Sequence, residues 1–215
     1  MAIRETWSAD SSKFGISILF IIGSSPSQPQ FTDLVEENRK SNDLILVDLV
    51  DSYRNLSLKT YSALKFVQRL KLKPKMVLKV DSDVFVSFEN LNQFAVVNID
   101  AKQSIFCFVW HNALVIRKPK HKWFVSRLAY RKANWPDYCN GPAYLLTTDS
   151  VDKLLEVAEK QNFIPIEDVL FTGVLAEIAL PFELQGCPLS YIMPNSNTNH
   201  SCKFQACTPC ITEKN

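Results

Sequence analysis

Two carboxylates separated by one residue, Asp81 and Asp83, follow directly on the apolar run Met76-Val77-Leu78-Lys79-Val80. Held that close, they repel each other unless a cation sits beside them. Hard divalent ions take one or two carboxylates and complete their shell with substrate phosphates and water. Asp81-Ser82-Asp83 therefore has the shape of a metal-diphosphate site, although Asp-x-Asp is also common in solvated loops and both readings stand. A second acidic pair, Glu167-Asp168, precedes an apolar helical stretch. Acidic residues there cap a helix and complement its dipole. In a dry pocket, one of them could instead take a proton from an acceptor hydroxyl.

Trp135-Pro136-Asp137-Tyr138-Cys139-Asn140-Gly141-Pro142-Ala143-Tyr144 supplies flat rings next to polar groups, which suits either a sugar-stacking surface or an ordinary turn entering a strand. His200 with Cys202, Cys207 and Cys210 admits a zinc reading, and Cys207-Thr208-Pro209-Cys210 a redox reading. No second half-site has the usual spacing, and structural disulfides are the preferred expectation. The six cysteines and the sequons Asn55-Leu56-Ser57 and Asn199-His200-Ser201 suit an oxidising, glycosylating lumen.

These residues need elements to hold them. Ile16 to Gly23, Leu44 to Val50 and Met76 to Val80 read as buried strands. Helices are expected over Phe31 to Lys40 and from Ser57 to Leu70, where apolar residues recur every three positions until Pro74 stops the pattern. This alternation builds an α/β sheet whose ligands sit beyond the carboxyl ends of its strands, where Asp81 and Asp83 lie. Further along, a helix is expected over Phe88 to Val97, and apolar segments over Ile105 to Trp110 and Ala113 to Ile116. A strand at Tyr144 to Thr147 leads into a helix capped by Asp149 or Ser150, and a last helix opens at Glu167-Asp168 and runs through Ala179.

With 215 residues, 47% of them hydrophobic, the chain suits one globular domain. Its 24 Lys plus Arg against 22 Asp plus Glu set up no field that would favour nucleic acid. No apolar run reaches the length of a membrane span, and no secretory signal is visible.

Several segments, taken in order, resemble one family. Ala2-Ile3-Arg4-Glu5-Thr6-Trp7, Asp51-Ser52-Tyr53-Arg54-Asn55-Leu56-Ser57-Leu58-Lys59-Thr60, Leu78 to Val86, Trp135 to Gly141 and Glu167-Asp168-Val169 are similar to the β-1,3-galactosyltransferase and β-1,3-N-acetylglucosaminyltransferase family, which is related to the fringe proteins. The resemblance implies a GT-A-like, Rossmann-like nucleotide-sugar transferase fold with one mixed, mostly parallel sheet flanked by helices. It implies a catalytic domain over residues 1–181, with a Cys-rich, loop-rich segment of the same domain over 182–215. It implies a UDP-sugar donor, a glycan acceptor on a glycoprotein or glycolipid, Mn²⁺ and inversion at the anomeric carbon.

By position, the resemblance makes Asp83 a metal ligand and gives Asp81 the metal or its waters and the donor ribose. Arg4, Lys59 and Lys79 would line the donor pocket, Trp135, Tyr138 and Gly141 the acceptor side. Asp168 would be the base, with Glu167 shaping its surroundings. Golgi membrane residence through an N-terminal anchor is implied too; no anchor is visible here, and a strand that the family carries ahead of the I-R-x-T-W segment is expected to be missing. Ser82 and Thr208 stand where the family more often has Asp and a metal-binding His. Leu170-Phe171-Thr172-Gly173 makes the spacing from the acidic pair to Gly one residue longer than usual. A relative that binds UDP or glycans without catalysis is the alternative reading.

Overall fold

A computed structural model describes residues 2–24, 28–179, 183–186 and 192–194. A helical turn, α1 (Ala2–Glu5), and a 3₁₀ turn (Ser11–Phe14) lead into β1 (Phe20–Ser24), α2 (Gln28–Ser41) and β2 (Leu44–Val50). β1 and β2 pair in parallel, with Phe20 opposite Leu44, as a helical crossover requires. A 3₁₀ turn (Tyr53–Asn55) enters α3 (Leu56–Arg69), whose buried residues are Ser57, Thr60 and Leu64. The extended residue Leu70 ends that helix ahead of Pro74, which disfavours helical conformation in its neighbourhood.

β3 (Met76–Val80), a tight turn, β4 (Val84–Val86) and α4 (Phe88–Val97) follow. α4 starts where the Ser87 side chain accepts the Asn90 N–H, satisfying one of its orphan donors. β5 (Ser104–Cys107), β6 (Val109–Trp110), β7 (Tyr138–Cys139) and β8 (Ala143–Thr147) complete the middle of the chain. α5 (Thr148–Ala158), a π-helix (Val169–Leu175), α6 (Ala176–Ile178), β9 (Glu183–Gly186) and β10 (Ile192–Pro194) follow.

The expectation of one mixed, mostly parallel sheet needs correction. Among the described residues the strands form a four-stranded sheet in the order β3-β8-β5-β9 and three two-stranded pairs, β1-β2, β10-β4 and β6-β7. β8 runs antiparallel to both β3 and β5, while β5 and β9 are parallel. Three strands of the larger sheet thus share a direction, but the antiparallel β8 separates two of them. β1 and β2 stand apart as their own ribbon, and the residues of β3, the edge strand, are all half-buried. Ala113 to Ile116 forms no strand and contributes one bridge, Leu114 to Asn134. The first strand begins at Phe20 rather than Ile16, and α5 begins at Thr148, with Thr147 as its flanking residue.

β8 sits at the centre of the core because its residues are buried on both faces. Alternation along the strand turns Tyr144 and Leu146 toward Val151, Leu154 and Phe171, and turns Leu145 toward Phe88, Leu91 and Phe106. Helices therefore cover both sides of the sheet, and each fully buried Leu or Phe contributes roughly 1.5–3 kcal/mol. β9 and β10 belong to the segment expected to be loop-rich; they pair with β5 and β4, which ties that segment to the same sheets. Cys187, Cys202, Cys207, Cys210, His200, Thr208 and the Asn199 sequon lie outside the described residues. No helix among the described residues is long and apolar enough to cross a membrane.

Candidate active site

The antiparallel register of β3 and β8 sets Lys79 opposite Tyr144, so both side chains leave the same face of the sheet. Asp81, two residues on, shares that face as β3 ends, and its N–H donates to the Pro142 carbonyl at 2.9 Å. Lys79 Nζ reaches Asp81 Oδ1 at 2.5 Å, the Gly141 carbonyl at 2.7 Å and Glu167 Oε2 at 3.4 Å. Tyr144 donates its hydroxyl to the other oxygen of Glu167. Glu167 is only 6% exposed, and it stays in place because an ammonium and a phenol hold its two oxygens. Burial alone would lower the Lys79 pKa, but the charges of Glu167 and Asp81 outweigh it and hold the pKa above its ordinary value. Tyr144 is pushed well up, by burial first and then by the Glu167 carboxylate.

Asp168 stands half-buried at the start of the π-helix, accepting the Val169 N–H at 2.9 Å. Its pKa is pushed up from 3.8 to about 6, by burial first and by the neighbouring Glu167 charge second. Its Oδ2 lies against Gly141: a β-carbon there would be 2.9 Å from it, a distance that only glycine allows. A π-helix over Val169–Leu175 follows the acidic pair and contains Gly173; its turn is wider than an α-helical one. Within that turn Thr172, fully buried, donates its hydroxyl to the Asp168 carbonyl at 2.6 Å and accepts the Cys139 N–H at 2.8 Å.

Asp81 and Asp168 thus belong to one charged cluster, in which Lys79 links Asp81 to Glu167 and both Glu167 and Lys79 act on Asp168. Tyr53 lies within reach of the same field. Its pKa is raised by burial, against the lowering hydrogen bond from Trp123, with the charges of Asp168, Asp81 and Glu167 adding to the rise. Trp123 Nε1 donates to the Tyr53 hydroxyl at 2.9 Å, and Lys122 Nζ lies 4.2 Å from the centre of its ring. Asp83 is exposed in the turn after Asp81, which the Val84 N–H closes onto the Asp81 carbonyl at 3.2 Å. Among the described residues no three His, Cys, Asp or Glu groups gather as a metal site. The Asp81–Asp83 turn still suits a hard divalent ion that takes most of its oxygens from a diphosphate and water.

At the carboxyl ends of β1 and β2, Asp51 accepts the Gly23 N–H at 3.1 Å and both its oxygens bind Lys59 Nζ, at 2.8 and 2.9 Å. Lys59 is therefore at the expected end of the ribbon. Arg4 is not. Its guanidinium binds Asp43 at 2.7 and 2.8 Å and Glu37 at 2.5 Å, and lies 4.9 Å from the Phe20 ring centre. Asp43 and Phe20 mark the amino ends of β2 and β1, and the 7 residues of β2 put roughly 23 Å between Arg4 and Asp51. Arg4 clamps α2 to the ribbon.

The acceptor-side expectation also divides. Trp135 is 6% exposed and packs 4.4 Å from Tyr130 within the core, so it presents no stacking face. Tyr138 and Gly141 do border Asp168; the Tyr138 pKa is raised by burial and by the Asp168 charge. Cys139 is disulfide-bonded to Cys107, joining β7 to β5. The Asn55 sequon is a poor glycan acceptor once folded, because Asn55 Nδ2 donates to the Val50 carbonyl at 2.7 Å and the Ser57 hydroxyl is buried on the Ile164 carbonyl at 2.7 Å. Trp123 and Thr172 join the site although their types and local spacing gave no sign of it, and Tyr144, read as the end of an aromatic stretch, joins it as the partner of Glu167. The β3–β8 pairing brings in Tyr144, the π-turn brings in Thr172, and the hydrogen bond to Tyr53 brings in Trp123.

Residues 1–180 match the family model described as Galactosyltransferase. β-1,3-Galactosyltransferase 5 of Gorilla gorilla gorilla is 31% identical over 179 residues, covering 82% of this chain and 60% of the relative. The Homo sapiens β-1,3-galactosyltransferase 5 is 30% identical over 179 residues, covering 82% and 57%. β-1,3-Galactosyltransferase 1 of Mus musculus is 32% identical over 190 residues, covering 86% and 58%. The chain spans about three fifths of the length of these curated relatives. On the family model and these relatives together, the chain belongs to the galactosyltransferase family.

Proposed function

We propose that the protein is an inverting, UDP-sugar-dependent hexosyltransferase that forms a β-1,3 linkage, with galactose or N-acetylglucosamine as the transferred sugar and a glycan of a glycoprotein or glycolipid as acceptor. The observation that carries the reading is the cluster in which Lys79 links Asp81 to the buried Glu167, next in sequence to Asp168. A GT-A-like arrangement fits the strand ends at which Lys59, Asp51, Asp81 and Asp83 stand.

Asp168 takes the proton of the acceptor hydroxyl as its oxygen bonds to the anomeric carbon; the bond from that carbon to the diphosphate oxygen breaks, and UDP leaves with the electron pair. A carboxylate whose pKa sits at about 6 is a better proton acceptor than one at 3.8 and is still ionised at neutral pH. Lys79 bridges Asp81 and the buried Glu167, and Gly141, lacking a side chain, leaves room for Asp168 Oδ2. Asp83 and Asp81 would hold Mn²⁺, which when bound neutralises charge developing on the leaving diphosphate. The buried Cys107–Cys139 disulfide favours an oxidising compartment, in keeping with a Golgi lumenal domain.

The test is transfer from UDP-galactose and UDP-N-acetylglucosamine to β-linked sugar acceptors with Mn²⁺, alongside calorimetry with UDP. Transfer by the wild type that is lost in Asp168→Asn, with UDP affinity kept, supports the reading. Metal-dependent UDP binding without transfer or hydrolysis from either donor makes the protein a silent nucleotide binder and overturns it.

A further inference from the structure

The β6–β7 hairpin carries two large rings in water. Trp110 is 47% exposed and Phe108 50%, whereas Cys107 and Cys139 beside them are fully buried. Their rings meet edge to face with centroids 5.7 Å apart. The indole is fixed: Trp110 Nε1 donates to Asn140 Oδ1 at 3.1 Å, and the Asn140 N–H donates to the Phe108 carbonyl at 2.8 Å. The backbone beneath is pinned by the Cys107–Cys139 disulfide. An exposed aromatic pair this constrained gives up little conformational entropy when something lies against it.

The pairing also connects the rings to Asp168. Alternation along the strand puts Phe108 and Trp110 on one face and half-buried Val109 on the other. Trp110 is directly opposite Tyr138, so the two share a face, and Tyr138 is the ring that feels the Asp168 charge. Asn140, which holds the indole, is followed by Gly141, the residue in contact with Asp168 Oδ2. A continuous chain of contacts therefore runs from the indole to the carboxylate.

We propose that Trp110, flanked by Phe108, is the platform on which the acceptor sugar stacks, its apolar ring face against the indole and its reactive hydroxyl turned toward Asp168. The occupant is a neutral pyranose, because it offers a flat C–H face for the ring and hydroxyls for Asn140 and Asp168. The role expected of Trp135 passes to a tryptophan 25 positions earlier (135 − 110) that water can reach. This inference rests on the transferase reading above and names its acceptor subsite.

The experiment measures acceptor saturation for the wild type, Trp110→Ala and Trp110→Phe with methyl β-galactoside and methyl N-acetyl-β-glucosaminide, together with UDP affinity by calorimetry. Trp110→Ala should raise the acceptor KM about tenfold or more and keep the UDP Kd, while Trp110→Phe recovers most of the loss. An unchanged acceptor KM in Trp110→Ala overturns the platform, as does an equal fall in kcat for both variants with a shifted UDP Kd, which marks a structural role. Direct binding of the same glycosides by saturation-transfer NMR separates the two levels of the argument. If the wild type transfers nothing yet binds a glycoside through Trp110, the transferase reading fails and the platform stands; if Trp110→Ala binds as the wild type does, the platform fails alone.

Discussion

Asp168 Oδ2 occupies the space that a side chain on Gly141 would need, 2.9 Å from the position of the missing β-carbon. The glycine and the carboxylate come from segments joined only by tertiary structure, and each constrains what the other can be. Gly141→Ala should therefore push the carboxylate aside while leaving the core intact. A loss of about a hundredfold in kcat is expected for displacing a reacting group by about an ångström. Steady-state kinetics beside a thermal melt checks this: wild-type turnover in the alanine variant would show that Asp168 has room to retreat.

Asp168→Asn separates activity from stability. The carboxylate's pKa of about 6 in the folded chain lies above its ordinary 3.8, so the native state holds the proton more tightly. The stability this provides is complete below about pH 3.8 and is lost as pH rises through about 6. At neutral pH the ionised group costs up to about 3 kcal/mol, less what water at its exposed edge screens. Asparagine keeps an oxygen for the Val169 N–H and removes that charge. The variant should be inactive yet melt higher than the wild type at pH 7.5, with the difference vanishing near pH 4. Wild-type kcat/KM should fall below about pH 6, where Asp168 takes up a proton. Denaturant melts and rate profiles from about pH 3.5 to about pH 8, which bracket the ordinary value of 3.8 and the shifted value of about 6, test both.

Much of this arrangement was legible in the residues, and the unreadable part has a physical cause. β2, β3 and α4 lie where periodicity set them, because Asp51, Asp81 and Ser87 interrupt or cap apolar runs locally. The partnership of Lys79 with Glu167 spans 88 positions (167 − 79) and depends on β8 entering antiparallel beside β3, which no local pattern encodes. Arg4 and Trp135 show the complementary limit. Residue type permits a diphosphate ligand or a sugar platform, but Asp43 and Glu37 had already taken the guanidinium, and Tyr130 the indole.

Thr172 positions Asp168, the proposed base. Thr172→Val keeps the volume but strands the Cys139 N–H and removes the hydroxyl's bond to the Asp168 carbonyl. Unsatisfied buried groups cost about 1–3 kcal/mol each, so a fall in stability of that order is expected. A purely structural role would lower the melting temperature alone. Positioning also displaces the acid limb of the rate profile, because Asp168 moves relative to Glu167. Thr172→Ser, which retains the hydroxyl, should restore the limb.

The Cys107–Cys139 bridge closes a loop with a sequence separation of 32, and opening it should destabilise the fold by about 3–4 kcal/mol on the chain-entropy account. That loop holds every residue from β6 to β7, including Trp110, Trp123 and Arg117, whose guanidinium donates to the Val125, Tyr130 and Lys132 carbonyls at 2.7–2.8 Å. Because both cysteines are fully buried, reductant reaches them only when the hairpin opens. Dithiothreitol should therefore inactivate the native protein slowly, at a rate set by local opening, and bound UDP-sugar with acceptor should slow it further by stabilising the closed hairpin. Cys139→Ser should start at the reduced level and show no further loss. Loss of activity on mixing, faster than amide exchange in β6 and β7, would mean that the hairpin is already open in the native state and that the aromatic pair is not held as described.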